Sequence, residues 1–172
     1  MPQESLTLYK LMILYMLDHL DFPLTTAQLS DFFVKRGYSS YFPLQQSINE
    51  LVDGAFIEGD VRRNITSYHL TDNGKEALEL FEQRIPRAIR DDMTAYLQNN
   101  GYQLRETADI TADYSLTRNG DYMVNVQIRE KSSILLELNL NVATEDQAIA
   151  VCDRWQEKCQ NLYDMIVKEL LL

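Results

Sequence analysis

Residues that commonly build metal, redox and disulfide sites are scarce in this chain. Its 172 residues include two cysteines and two histidines, whereas a structural zinc site needs four such ligands close together. Cys152 and Cys159 lie on one predicted helix, where their spacing corresponds to about 10 Å of helical rise, too far for a disulfide. We therefore expect two buried thiols, no bound metal and no cofactor.

Positively charged residues are also in short supply. The 16 lysines and arginines stand against 26 aspartates and glutamates, which leaves a formal net charge of −10. This balance repels phosphate backbones at long range and argues against a general nucleic-acid coat protein. A local basic patch can still dock on DNA, because charges farther away than one Debye length, roughly 10 Å at 0.1 M salt, are screened.

Long hydrophobic runs are missing as well. No segment reaches the roughly 18 uninterrupted apolar residues that predict a membrane span. The apolar start of the chain is interrupted by Lys10, ends at Asp18 and has no basic residue before it, which is unlike a signal peptide. We expect a cytoplasmic protein without membrane association. Its 45% hydrophobic residues suffice for one good core or two small ones.

Hydrophobic periodicity predicts three helices at the start of the chain. The first covers residues 5–20 and is apolar on nearly every side, so it must be buried on more than one face. A capping box at residues 25–28 begins the second helix, which ends at Gly37. The third helix runs from Ser40 to Gly54. Its apolar residues are Leu44, Ile48, Leu51 and Val52, of which the first three are predicted to face inward.

The hydrophobic period then changes to two. Residues 55–61 and 65–71 are predicted strands of a hairpin, and its tip is the basic segment Arg62-Arg63-Asn64. Three helices followed by a two-stranded ribbon is the order of a winged helix-turn-helix.

A further helix is predicted after the hairpin. It begins near residue 71, is interrupted and restarted at Pro86, and closes at Asn100-Gly101. We therefore expect a winged helix-turn-helix domain over residues 1–85 and a connecting helix over residues 86–101.

The exit from the hairpin carries a recognisable motif. The run YHLTDNGKEALELF at residues 68–81 resembles the corresponding segment of MarR-type and PadR-type winged-helix transcription regulators, with Leu-Thr at the strand end and a glycine three residues later. The whole chain also resembles a bacterial family of unknown function that has an N-terminal winged helix and a C-terminal α+β extension. The resemblance supplies a fold more than an activity, and it favours DNA contact by a winged-helix regulator.

Residues 102–172 predict a small α+β unit for dimerisation or sensing. Alternation of apolar and polar residues predicts three antiparallel strands with a hairpin at Asn119-Gly120. A capping box at residues 144–147 begins a long final helix. The predicted fold class is thus α+β, with an N-terminal winged helix-turn-helix followed by a small antiparallel three-stranded sheet that the long C-terminal helix covers.

Candidate DNA contacts come from the third helix, the end of the helix before it and the ribbon tip. Glutamine and asparagine can hydrogen-bond adenine edges, and basic residues can hold phosphates. Residues 26–68 nevertheless carry four basic and five acidic side chains, a net charge of −1, which lowers the expected affinity. The alternative is that these residues only solvate the surface. The predicted DNA-binding residues are Lys35, Arg36, Tyr41, Gln45, Gln46, Asn49, Arg62 and Arg63.

Two helices are candidate dimer interfaces. The first is too apolar for one packing face, and the last has an apolar stripe with spacings of four and three. The alternative for the last helix is burial against its own sheet, and a 27-residue helix is long enough for both. The predicted interface residues are Tyr9, Ile13, Trp155, Leu162, Tyr163 and Ile166.

Catalytic machinery is not visible in the sequence. The acidic pairs at residues 91–92 and 145–146 fall in first turns of predicted helices, where acids complement the helix dipole. We therefore predict no enzyme and no catalytic residue. The sequence favours a dimeric DNA-binding transcription regulator, with double-stranded DNA and a second copy of itself as partners. The alternative is a protein–protein interaction module that keeps the winged-helix scaffold without binding DNA.

Overall fold

The computed structural model of the chain describes residues 3–130 and 133–171, apart from the side chains of residues 107 and 108. The first half contains α1 (Gln3–Asp18), β1 (Leu24–Thr25), α2 (Thr26–Lys35), α3 (Tyr41–Asp53), β2 (Ile57–Arg62), β3 (Ile65–Leu70) and α4 (Asp72–Phe81). A 3-10 turn at Glu82–Arg84 precedes α5 (Arg87–Asp109). The second half contains β4 (Ile110–Leu116), β5 (Tyr122–Glu130), β6 (Ser133–Val142) and α6 (Glu145–Leu171).

The chain divides into two compact units, residues 1–105 and residues 106–172. We call them the N-terminal unit and the C-terminal unit. Each contains a three-stranded antiparallel sheet, with strand orders β1-β3-β2 and β4-β5-β6. The predicted α+β class, with a long C-terminal helix, is confirmed.

Helix α1 forms the centre of the core of the N-terminal unit. All seven residues from Leu11 to Leu17 are buried, because α1 packs against both α3 and α4. The prediction that this helix is buried on more than one face is confirmed.

Local hydrogen bonds set the start of α2. The Thr25 hydroxyl accepts from the backbone of Gln28, and the Gln28 side chain accepts from the backbone of Thr25, which is the predicted capping box. The helix ends before Gly37, whose φ of +75° lies in the left-handed region that suits glycine. A short turn then leads into α3, which directs Leu44, Ile48 and Leu51 into the core.

The β2–β3 hairpin is closed by a two-residue turn. Arg63 and Asn64 have φ values of +49° and +61°, the backbone that a tight hairpin of this twist requires. The two-residue strand β1, which the sequence did not predict, adds to the other edge of β3 through Leu24 and Thr25. The first six elements thus have the order typical of a winged helix.

The junction between β3 and α4 explains the motif at residues 68–81. The Thr71 hydroxyl donates to the Ala55 carbonyl at 2.7 Å and accepts from the Gly74 backbone at 3.1 Å. A Cβ atom at Gly74 would lie 2.0 Å from the Phe56 carbonyl oxygen. Glycine is required here because two backbone segments approach closely, rather than because of an unusual φ.

The prediction that α5 closes at Asn100-Gly101 is wrong, since the helix continues to Asp109. Leu97 and Leu104 are both buried, and their spacing places them on one face of a continuous helix. The Asn100 side chain donates to the Tyr96 carbonyl within the helix rather than ending it. Burial of these two leucines outweighs the roughly 1 kcal/mol that a helical glycine costs.

The C-terminal unit is a sheet packed under one helix. Val124 and Val126 of the central strand are fully buried against Ala148, Cys152 and the other inward residues of α6. Trp155 adds a directional contact, because its indole N–H donates to the Gln127 carbonyl at 3.2 Å. The predicted hairpin at Asn119-Gly120 and the α6 capping box at residues 144–147 are both present.

Candidate nucleic-acid interface

The face of α3 opposite the core carries polar and aromatic side chains. Gln46 and Asn49 are exposed and Gln45 is half-buried. Tyr41 is 54% exposed and Phe42 is 83% exposed. This separation follows from the helical period, since the positions facing away from the buried leucines and isoleucine recur every three to four residues. The four residues predicted on α3 are therefore brought together on one surface.

Hydrogen bonds along the helix orient the amides of this face. Gln45 Nε2 donates to Asn49 Oδ1 at 3.1 Å, and Gln46 Nε2 donates to Glu50 Oε1 at 3.0 Å. Glu50 Oε2 also accepts from Lys10 Nζ at 2.9 Å. The hydrogen bonds from Lys10 and Gln46 hold the pKa of Glu50 below its ordinary value. The acid that accepts from Gln46 is therefore paired with a lysine.

The N-terminal end of α3 carries two aromatic rings. Tyr41 and Phe42 meet edge to face with their ring centroids 5.9 Å apart. Ser40 precedes them as the N-cap residue, and among the described residues its side chain makes no capping hydrogen bond. Phe42 was not among the predicted contacts, although the helical period that identified Gln45 and Asn49 also places position 42 opposite Leu44, Ile48 and Leu51.

The basic residues at the end of α2 are ion-paired. Lys35 pairs with Asp31 one turn earlier, and Arg36 Nη1 lies 3.0 Å from Asp92 Oδ1 of α5. The Tyr38 hydroxyl donates to the other oxygen of Asp92 at 2.7 Å. Burial, together with Asp92, raises the pKa of Tyr38 to about 12. These contacts fix the turn between α2 and α3 to α5, and they reduce the positive charge that Lys35 and Arg36 present.

The hairpin tip has a similar arrangement. Arg62 Nε lies 3.1 Å from Asp60 Oδ2 on the same strand, and Arg63 occupies the turn itself. Val61 and Ile65 on either side are exposed. The tip thus carries two arginines, an aspartate beside Arg62 and two exposed apolar side chains.

The predicted basic residues therefore stand at two places that flank α3. Lys35 and Arg36 end the helix that precedes it, and Arg62 and Arg63 lie at the far end of the hairpin that follows it. The acid partners of Lys35 and Arg62 lie within four residues of them. The partner of Arg36 could not be predicted, because Asp92 is 56 residues away and no short-range pattern joins the two.

The predicted dimer residues differ in the surface that they offer. Ile13 is fully buried in the core of its own unit, so it has no surface for a partner and the prediction for this residue is wrong. Tyr9 is half-buried and packs edge-on against Phe33 with ring centroids 6.3 Å apart. Trp155 is buried under its own sheet, which leaves it little to contribute to an interface.

The second half of α6 carries apolar side chains that are half-buried or exposed. The last buried residue of α6 is Cys159, yet the helix continues to Leu171. Leu162, Tyr163 and Ile166 in this part are half-buried, and Leu170 is 77% exposed. An apolar stripe therefore extends beyond the portion of α6 that its own sheet covers.

Within residues 3–130 and 133–171, no group of three or more histidine, cysteine, aspartate or glutamate side chains is placed to hold a metal ion. Within the same ranges, no helix combines the length and the hydrophobicity of a membrane span.

Comparison with known proteins identifies the family. The family model for a domain of unknown function (DUF4364) matches residues 9–170, nearly the whole chain. No curated protein and no solved structure matches the chain. The likeness to PadR-type and MarR-type regulators therefore stays a prediction from the motif at residues 68–81.

Proposed function

We propose that this chain, which belongs to the family described as a domain of unknown function (DUF4364), is a transcription regulator whose N-terminal unit binds double-stranded DNA. The observation that carries the proposal is the outward face of α3. Tyr41, Gln45, Gln46 and Asn49 share a surface that the core does not need, on the helix that enters the major groove in winged-helix proteins.

The β2–β3 hairpin supports this assignment as the wing. Its tight turn lifts Arg62 and Arg63 to the end of the ribbon, where basic side chains can contact phosphates beside the bound groove. The proposal includes a cytoplasmic location, as expected for a protein that acts on chromosomal DNA.

The ion pairs affect the DNA affinity and its dependence on salt concentration. Lys35, Arg36 and Arg62 each have an acid partner within ion-pairing distance. Each of these side chains must therefore leave its carboxylate to contact a phosphate, or contact the phosphate while the carboxylate stays beside it. We expect modest affinity at physiological salt that rises steeply as the salt concentration falls.

The test is a salt series with the double variant Arg62→Ala/Arg63→Ala. Binding to promoter fragments is measured by fluorescence anisotropy, and the slope of log K against log salt should fall by about one to two units, since each phosphate contact contributes roughly 0.9. Arg118→Ala is the matched control, because Arg118 is an exposed arginine beside the hairpin turn of the C-terminal unit. Equal slopes for the wild type and the wing variant would exclude the hairpin from binding.

A homodimer formed through the second half of α6 completes the proposal. Leu162 still packs against the core of its own unit, whereas Ile166 and Leu170 continue the apolar stripe beyond it. Two copies of a winged helix usually read paired half-sites. Sedimentation equilibrium should give a dimer for the wild type and a monomer for Ile166→Glu. A monomeric wild type at micromolar concentration would contradict this part.

A protein-interaction module is the second candidate function. It is favoured by the exposed Val61 and Ile65 next to the wing arginines and by the acid partner of each paired basic residue. If selection from a random duplex pool recovers no preferred DNA and a protein partner binds through the hairpin, this alternative replaces DNA binding.

A further inference from the structure

The outward face of α3 has a composition that discriminates between base pairs. Residues 41–53 include three side-chain amides and no lysine or arginine. In the major groove guanine offers two acceptors, N7 and O6, which arginine or lysine reads, whereas adenine offers the N7 acceptor and the N6 donor. A side-chain amide carries one donor group and one acceptor and so matches adenine.

The aromatic pair at the start of α3 matches the other half of an A·T pair. Phe42 is 83% exposed and its neighbour Tyr41 is 54% exposed, so the two rings together offer an apolar contact surface. The 5-methyl group of thymine is the apolar feature of the major groove, and phenylalanine is among the side chains that contact it. The edge-to-face contact with Tyr41 supports the Phe42 ring in its exposed position.

The hydrogen bonds that Glu50 already accepts disfavour recognition of cytosine. A glutamate can accept a hydrogen bond from cytosine N4, but Glu50 already accepts from Gln46 through one oxygen and from Lys10 through the other. The remaining acid of α3, Asp53, is its last residue, whereas the N-terminal residues of a recognition helix contact the bases.

The spacing along the helix suits adjacent base pairs. From Phe42 to Asn49 the helix rises about 10 Å at 1.5 Å per residue, close to three base-pair steps of roughly 3.4 Å. Gln45 and Asn49 are already hydrogen-bonded to each other, so part of the ordering of these side chains precedes binding.

We infer that α3 reads a short run of A·T base pairs, with Phe42 contacting a thymine methyl group and Gln45, Gln46 and Asn49 hydrogen-bonding adenine edges. This inference rests on the proposed DNA-binding function and assigns the base chemistry of the same surface.

The test removes thymine 5-methyl groups from the DNA. Duplexes recovered by selection from a random pool should share an A·T core, and replacing core thymines by deoxyuridine should weaken wild-type binding about fourfold for each contacted methyl, the equivalent of one buried methyl group. Phe42→Ala should bind the thymine and uracil duplexes equally. Tyr102→Ala is the matched control, because Tyr102 is 82% exposed on α5, and it should keep the wild-type preference.

The outcomes separate this inference from the proposed function. Recovery of a G·C core, or equal wild-type binding to the thymine and uracil duplexes, overturns A·T reading but leaves DNA binding standing. If no duplex in the pool binds at low salt, DNA binding fails and the inference fails with it.

Discussion

Replacing Gly74 with alanine tests whether the junction between the hairpin and α4 depends on close backbone contact. On helix propensity alone, the change should stabilise α4 by about 0.5–1 kcal/mol. In this fold the added Cβ would lie 2.0 Å from the Phe56 carbonyl oxygen, where ordinary contact begins at 3.4 Å. The two segments would have to separate by about 1.4 Å.

The expected cost exceeds the gain in propensity. The Phe56 carbonyl accepts from the Thr71 backbone at 3.2 Å, and the Thr71 hydroxyl donates to the Ala55 carbonyl, so separation weakens both hydrogen bonds. Overpacking costs about 1–3 kcal/mol, and a hydrogen bond about 1 kcal/mol. We expect Gly74→Ala to lower the free energy of unfolding by about 1–3 kcal/mol net.

Urea unfolding followed by far-UV circular dichroism measures this change. Gly101→Ala is the matched control, because Gly101 also lies in a helix but has no atom within 4 Å of its Cβ position. The control should be more stable than the wild type by about 0.5–1 kcal/mol. If Gly74→Ala were as stable as Gly101→Ala, the close approach between Gly74 and Phe56 would be refuted.

Three further predictions concern pH, charge and the C-terminal core. Burial and nearby acids raise the pKa of Tyr38 and of Tyr96 to about 12 from 10.0. The unfolded chain therefore loses these two protons at a lower pH than the folded chain does. The stabilisation is complete below pH 10 and should be lost as the pH rises toward 12. Urea midpoints against pH should fall less steeply when both tyrosines are phenylalanine, and an unchanged profile would contradict the assignment. Asp60→Asn should raise DNA affinity about twofold in anisotropy titrations, because a charge about 8 Å from a phosphate in water is worth roughly 0.5 kcal/mol; a loss of affinity would oppose the proposed wing contact. Trp155→Phe should cost about 1 kcal/mol in urea unfolding through the lost bond to the Gln127 carbonyl, and an unchanged midpoint would argue against that bond.

Short-range chemistry made much of the fold predictable. The capping boxes at residues 25–28 and 144–147 and the hairpin at Asn119-Gly120 each depend on a few neighbouring residues. The inward positions Leu44, Ile48 and Leu51 of α3 followed from helical periodicity in the same way. The same period indicated its outward face, although Phe42 was omitted from the predicted contacts.

The features that the sequence did not predict depend on contacts between distant parts of the chain. Helix α5 passes through Gly101 because Leu97 and Leu104 are buried on its core face, which the local sequence does not reveal. The partner of Arg36 is Asp92 on another helix, so the charge presented by the site depends on tertiary contacts. Ile13 looked like surface for a dimer because α1 is apolar all round, but its own unit covers every side.

Amide chemical-shift mapping with duplex DNA at low salt tests DNA binding by α3 and the hairpin most directly. If these two elements bind DNA, the largest changes will fall on residues 41–49 of α3 and on residues 62–65 of the hairpin tip, with small changes in the C-terminal unit. No shift at saturating duplex, or shifts confined to residues outside these two segments, would contradict such binding.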